Sequence, residues 1–446
     1  MDSQPFWNPK IETLPREDLQ ALQLEKLRRT AEWADARSPF YRRTFAAAGF
    51  RPEQLKSWDD IQRIPFLERE AWMASQDAHP PFGELPVTGS DNTDNAIRLH
   101  TTSGTSGRTP LRALDSRKDW SWAAEMWCYG LWGAGVRPGD RAYVAFGYGT
   151  FIGFWGLHYG LEKMGALTLP GGAQNTAGRV KQIIDFGVTV VASTTTYALR
   201  LAQEAEALGL DLKNSPVHTV ILSGEPTPPI TRDLIERQWG AKAYDTAGMT
   251  ELGTIFMFEP QEQPGGTHII EGHFIEQVVD PDTGEELPYG EPGERVTTSF
   301  GRGTLPILRY RTKDLVVKVP HTVASSGRTW DLYEGGILGR VDDMKLIRGT
   351  NVYPRAVEEI VRKFELIDEF HTYIERVGIR DEVTVHVEPV TAMDDAAWPG
   401  LEEALKLELA EAHEGLNFHV SRREAGALPR FELKAKRMTD MRPANR

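Results

Sequence analysis

A chain of 446 residues, 40% hydrophobic and 26% charged, with glycine and proline scattered throughout, has globular composition and is too long for one ordinary domain. Its net charge of -13 excludes general attraction to nucleic-acid phosphates or to anionic lipid, so any anionic ligand has to be held by local backbone N–H groups and a few cations. No run approaches the ~18 apolar residues of a membrane span and no leader pattern opens the chain; with Cys128 as the single cysteine, the expectation is a soluble cytoplasmic protein in which that thiol packs as a small hydrophobe.

Leu19, Leu22, Leu24 and Leu27 recur among charges between Leu14 and Arg37, and "SPFYRRTFAAAG" follows, so the opening is predicted helical. The stretch "HTTSGTSGRTPLR", His100 to Arg112, comes next as a loop. Beyond it "DRAYVAFG", "GALTLP", "TVVAST" and "HTVILSG" read as strands. They alternate with the helical "WGLHYGLEKMG", "AGRVKQIIDFG", "TYALRLAQEAEALG" and "TRDLIERQWG". Alternation of this kind predicts a largely parallel, layered α/β sheet. From Gly265 to Val319 hairpin signals in "DPDTGEELPYGEPGERV" and the strand-like "LPILRYRTKDLVVKV" predict a smaller β module closing the first domain. After "ILGRVDDMKLIRGTNVYP" a helix, two strands, a helix and a mixed stretch predict a small α+β lid. The division is a large domain over residues 1–341 and a lid over residues 342–446.

Successive N–H groups in a Gly/Ser/Thr turn form a nest for phosphate oxygens. Gly104 and Gly107 are separated by two residues and followed by Arg108, which rejects the P-loop of nucleotide triphosphatases. Taken alone, the loop reads equally as a solvated surface turn.

Several ordered segments together decide between these readings. "TSGTSG", "AFGYGTFIGFWGLHYG", "SGEP", "DTAGMTE", "LRYRTKDL", "LGRVDDMKLIRGTNVYP" and "LPRFELKAKR", in this order, resemble the adenylate-forming superfamily, and within it the phenylacetate-CoA ligases, over essentially the whole chain. The resemblance implies a multi-part adenylation domain with a mobile lid. It implies ATP-dependent conversion of an aromatic carboxylic acid to an acyl-adenylate, then transfer to coenzyme A with AMP leaving. It assigns Thr102, Ser103, Gly104, Thr105, Ser106 and Gly107 to the β- and γ-phosphates; Ser223, Gly224, Glu225 and Pro226 to the nucleotide; and Asp245, Thr246, Ala247, Gly248, Met249 and Thr250 to the adenine side. Glu251 becomes the Mg2+ ligand, a hard cation between phosphates preferring carboxylate and water oxygens. Asp314 becomes the ribose acid and Arg340 the cation reaching ribose or phosphate. Lys434 pairs with the attacking carboxylate and the α-phosphate, with Lys436 as the competing assignment. Asp342 is the hinge about which Arg348, Gly349 and Thr350 would replace Lys434 and form the thiol tunnel. Phe146, Tyr148, Gly149 and Phe151, with Ala247 and Gly248, line the acyl pocket; each ring also reads as plain core packing.

Three positions depart from the family pattern. Ala247 stands where the family has a tyrosine beside adenine, so either stacking is weakened or the acyl pocket is widened. His268 and His273 lack the cysteines of a zinc site found in some relatives, so no zinc is expected. Arg108 replaces a common lysine of the phosphate loop. An enzyme loading the phosphopantetheine of an acyl carrier protein is the alternative reading, and a non-catalytic nucleotide-binding homologue a third. A homodimer is expected, and neither nucleic acid nor membrane as a partner.

Overall fold

In the computed structural model, which describes residues 4–87, 96–102, 110–378, 380–390, 393–431 and 435–442, the chain opens on helix Arg16–Arg37, whose Leu19, Gln23, Leu27, Ala31 and Ala34 are buried. These fall every three or four positions, the spacing of one helix face. The predicted second helix is Pro39–Ala47, with Ser38 capping the N–H of Tyr41 at 3.3 Å as a serine N-cap does.

β1 (Ala96–Thr101) and β2 (Arg112–Ser116) form a separate antiparallel hairpin on either side of the phosphate-loop sequence. Then β3 (Arg141–Val144), β4 (Leu167–Pro170), β5 (Val190–Ser193), β6 (Thr219–Ser223) and β7 (Lys242–Met249) run parallel in the order β4-β3-β5-β6-β7. β5 and β6 are buried along their whole length, because helices cover both faces. Val190, Ala192 and Ile221 pack with Met126, Trp127 and Leu157; Val191, Val220 and Leu222 pack with Val180, Leu201 and Ile235. Successive side chains thus go to opposite layers. Cys128 lies in the first layer, buried, with its thiol pushed up to about 12 by that burial.

The β-rich region is not a module apart, and the expectation is corrected here. β8 (Thr254–Phe258), β9 (Gly266–Ile269), β10 (Phe274–Val279), β11 (Pro292–Ser299), β12 (Ile307–Val319) and β13 (Leu332–Glu334) continue antiparallel from β7 in the order β8-β9-β13-β12-β11-β10. One mixed sheet results. The late strand β13 inserts between β9 and β12, a long-range pairing that hairpin signals cannot reveal.

β14 (Gly339–Arg340) pairs with β12, and β15 (Lys345–Ile347) with β16 (Thr350–Val352). The remaining chain has its own core of Val357, Ile360, Val361, Phe370, Val385, Leu405 and Leu409. Helices Pro354–Val361 and Trp398–Ala412 cover a sheet of β17 (Ile367–Val377), β18 (Arg380–Pro389), β19 (Phe418–Arg422) and β20 (Met438–Asp440), in the order β19-β18-β17-β20. Among the described residues no helix is long and apolar enough to cross a membrane.

Candidate active site

Glu225 and Pro226, which follow β6, line a cavity shared with Arg340, Tyr353 and Arg437, at the strand ends where ligands bind in open α/β sheets. Ser223 ends β6, and Gly224, at φ +95°, turns the chain sharply into Glu225 and Pro226. Along β7 the pleat sends Asp245 and Thr246 to opposite faces, and the register with β8 shifts between Ala247 and Gly248, where a bulge interrupts the alternation. The Thr246 hydroxyl donates to the Leu222 carbonyl at 2.9 Å, tying the two strands. Asp245 is buried, its carboxylate 3.3 Å from the position a Cβ would take at Gly336. Burial and the neighbouring Glu259 push its carboxyl up to about 7, against the opposing pull of Arg232 and Arg355.

Met249 leads toward Asp314. Its sulfur lies 3.5 Å from Nη1 of Arg295, a fully buried guanidinium held two-pronged by Glu276 at 2.7 and 2.6 Å. Thr297 and Tyr333 add hydroxyl bonds to Glu276 at 2.7 and 2.9 Å. The same Nη1 is 3.5 Å from Asp314, and Arg340 approaches Asp314 from the other side at 3.6 Å. Burial raises the Asp314 carboxyl, and Arg295 followed by Arg340 oppose that rise. Asp314 and Arg340 are direct partners in the β12–β14 register. Arg340 also grips Asp342 two-pronged at 2.8 and 3.0 Å, so one side chain joins Asp314 to Asp342.

Glu251 is buried beyond the end of β7, ion-paired to Arg69 and accepting from the Tyr310 hydroxyl at 3.3 Å. Arg69 in turn donates to the Thr102 hydroxyl at 3.3 Å. Arg302 fixes the turn from behind by donating to the carbonyls of Thr250 and Glu251 at 2.9 and 2.8 Å. Thr102 also takes the N–H of Leu111 at 3.1 Å. Ser103, Gly104, Thr105, Ser106, Gly107, Arg108 and Lys434 lie outside the described residues.

Phe146 is buried against Phe154, edge-on at 5.1 Å, and faces Phe151 at 6.1 Å. Gly153 makes this possible: at φ +38°, a Cβ there would lie 2.2 Å from the Phe146 ring. Tyr148 meets Trp155 edge-on at 4.7 Å and its hydroxyl meets Nδ1 of His158 at 3.0 Å, while Trp155 donates to the Gly149 carbonyl at 3.0 Å. This aromatic segment is pinned to β1, since Thr101 N–H donates to the Thr150 carbonyl at 2.8 Å and Thr101 bridges Phe151. The candidate acyl wall and the strand leading into the phosphate loop are therefore one unit.

Arg348, Gly349 and Thr350 are not brought to this site. Arg348 and Gly349 form the β15–β16 turn with φ of 53° and 90°, and Arg348 pairs with Glu382 of β18 at 2.5 Å while Thr350 donates to Glu414 at 3.4 Å. Both pairings are internal to the smaller domain. Elsewhere, His268 uses one ring nitrogen on the Trp330 carbonyl at 2.9 Å and the other on Ser326 at 2.7 Å, and the Nδ1 of His273 accepts from Trp122 at 3.1 Å. Among the described residues no group of three or more His, Cys, Asp or Glu side chains is placed to hold a metal.

Arg69, Arg295, Glu276 and Arg302 are not legible as site residues, because their partners are distant in sequence, as with Arg69 and Glu251, and none of the motifs that carry the resemblance contains them. Tyr310 stands inside "LRYRTKDL", but only its contact with Glu251 marks it.

A mixed α/β sheet with a cavity at the end of β6, a half-buried acid flanked by two arginines and a smaller carboxyl-terminal domain with its own core fit an adenylate-forming enzyme. Residues 37–299 match the AMP-binding enzyme family and residues 349–442 the AMP-binding enzyme C-terminal domain. The chain is 36% identical to the phenylacetate-coenzyme A ligase of Thermus thermophilus over 385 residues, 86% of this chain and 84% of that one. It superposes on a 2-hydroxyisobutyryl-CoA ligase in its postadenylation state with a TM-score of 0.92 at 29% identity, covering 98% and 93% of the two chains. Against the same enzyme in its thioesterification state, at 31% identity and the same coverage, the TM-score is 0.74. The chain belongs to the AMP-binding enzyme family, and its two domains stand as in the first of those states.

Proposed function

We propose that this AMP-forming acid–CoA ligase takes a small aromatic carboxylic acid, of the phenylacetate or benzoate kind, as its substrate. The observation that carries the reading is the attachment of the Phe146–Phe151 wall to β1 through Thr101 and Thr150. A ring seated on that wall directs its carboxylate toward the loop that starts at Thr102.

The carboxylate is a poor electrophile, so a carboxylate oxygen attacks the α-phosphorus of ATP and pyrophosphate leaves with its electron pair. The coenzyme A thiolate then attacks the acyl carbon, the C–O bond breaks and AMP leaves. In the first step the protein mainly positions and neutralises charge. Asp314, held between Arg295 and Arg340, accepts from the ribose hydroxyls. Asp245 and Met249 line the base side, with Ala247 between them as a shallow wall. The main chain of Ser223 to Pro226 borders the nucleotide. Lys434 supplies the ammonium that shields the attacking carboxylate from the α-phosphate.

Glu251 suits a magnesium ion, since it offers a carboxylate next to the phosphate-loop entrance and water and phosphate oxygens complete such a shell. Bound there, the ion would neutralise phosphate charge. Arg69, paired with Glu251 and touching Thr102, occupies the same polar corner and adds a fixed cation. Rotation about Asp342 brings Arg348, Gly349 and Thr350 to the cleft for the second step. The carrier-protein alternative is not favoured, because the relatives are ligases of coenzyme A. The protein works as a homodimer in the cytoplasm, where both of its co-substrates are supplied.

The test is a pyrophosphate-release assay with ATP, Mg2+ and a panel of benzoates, phenylacetates and indole acids, followed by addition of free coenzyme A or a phosphopantetheinylated carrier protein. Acid-dependent release and an aryl-CoA product are expected. Release with no aromatic acid, or a thioester formed only on the carrier protein, would contradict the reading.

A further inference from the structure

The segment Ala435–Arg437 of the smaller domain meets the large domain at Glu225 and Thr196. Glu225 accepts the N–H of Thr196 on one oxygen at 2.5 Å and the N–H of Ala435 on the other at 3.1 Å. Thr196 stands in the first turn of helix Thr195–Ala207, where N–H groups have no partner inside the helix. Ala435 follows Lys434 in the chain. One side chain of the large domain therefore joins a fixed helix start to the backbone next to the candidate catalytic lysine.

Two residues further, Arg437 completes the arrangement. It is buried, bonds Glu369 two-pronged at 2.7 and 3.1 Å and Glu358 at 3.1 Å within the lid, and reaches across to the Thr196 hydroxyl at 3.4 Å. Its carbonyl takes the N–H of Thr372 at 2.7 Å. The run Ala435–Arg437 is thus held from both domains. Elsewhere Arg355 of the smaller domain donates to the Gly335 and Ile337 carbonyls at 3.2 and 2.6 Å beside the junction, and the pairs Gln203 to Asp368 at 3.0 Å and Arg237 to Glu365 at 3.2 Å lie at the exposed rim, where such pairs contribute little. A carboxylate covered by the lid needs its bonds far more. A cavity of about 160 Å³ lined by Thr196, Glu225, Tyr353, Arg362 and Arg437 adjoins the contact, room for water to take over Glu225 when the lid leaves.

We propose that Glu225 and Thr196 are positioning residues that clamp Ala435–Arg437 and hold the lid for adenylate formation, and that they act in the first half-reaction alone. The proposal rests on the ligase reading above. In the second half-reaction the lid has turned, Ala435 has left Glu225, and the clamp has nothing to hold.

The two half-reactions of the full-length protein are measured separately: acid-dependent ATP–pyrophosphate exchange, and single-turnover thioester formation from a supplied aryl-adenylate and coenzyme A. Glu225→Gln keeps the shape but turns an NH2 toward one of the two amides, and Thr196→Val removes only the hydroxyl. Exchange is expected to fall about tenfold for Glu225→Gln and about threefold for Thr196→Val, as the loss of one or part of one hydrogen bond implies, with thioester formation unchanged in Thr196→Val and reduced less than exchange in Glu225→Gln. Parallel loss in both half-reactions would make Glu225 a nucleotide contact and overturn the clamp; so would unchanged exchange in Thr196→Val, the variant least able to disturb folding. A wild-type protein inactive in both half-reactions would instead remove the ligase reading, and the clamp with it.

Discussion

Asp245 is the residue whose ionisation the fold disturbs most plainly within the cleft. Its carboxyl binds a proton more tightly folded, at about 7, than unfolded, at the usual 3.8. The associated stability is full below pH 3.8 and is lost as pH rises to about 7, because the unfolded chain releases its proton first. Asp245→Asn should therefore flatten the melting temperature between pH 4 and 7 and raise stability at pH 8 by a few kcal/mol, read by thermal unfolding across that range. Lys434 is expected to act only on charge developing in the first step. Lys434→Ala should lower acid-dependent pyrophosphate release on the order of 10²–10³-fold while thioester formation from supplied adenylate persists. At this scale the sequence was informative wherever a residue sat in an ordered segment, as Asp314 does in "RYRTKD". It was silent on Arg69 and Arg302, whose main partners, Glu251 for the first and Asp115 and Thr250 for the second, lie more than 50 positions away.

Individual elements carry the proposed acyl pocket. The turn into helix Trp155–Met164 places Phe146 against Phe154 because Gly153 has no Cβ. Gly153→Ala forces a methyl group to within 2.2 Å of the Phe146 ring and strains a positive φ. The expected result is a loss of kcat/KM for aromatic acids of tenfold or more (about 1.4 kcal/mol), with ATP binding in the absence of acid, followed by calorimetry, little changed. The helices and parallel strands were readable from periodicity and from buried apolar runs such as "TVVAST", since burial on both faces demands apolar residues throughout. Strands β1 and β2 and the insertion of β13 were not. A pairing made by residues 266 and 334 leaves no trace in either stretch.

The whole molecule is a sheet-based platform with a smaller carboxyl-terminal domain attached through polar contacts, Arg340 linking Asp314 to Asp342 at the junction. A superposition of 0.92 against one state of a relative and 0.74 against another is what a two-position lid produces when both domains keep their internal structure. Asp342→Pro removes a backbone rotation and should therefore separate the steps. Adenylate accumulates on the enzyme, and its conversion to thioester slows by roughly 10² or more, a split visible in rapid-quench analysis of both products.

Sequence by itself determined the order of the elements, the polar and apolar faces they present, and the candidate residues borne by contiguous motifs, because these follow from local spacing and side-chain chemistry. Only the tertiary structure decided that the β-rich region joins the parallel strands in one sheet, that Arg295 and Arg340 flank Asp314, and that Glu225 reaches the lid. Those are meetings of groups far apart along the chain, and their energy depends on burial and distance, which exist only once the chain has folded.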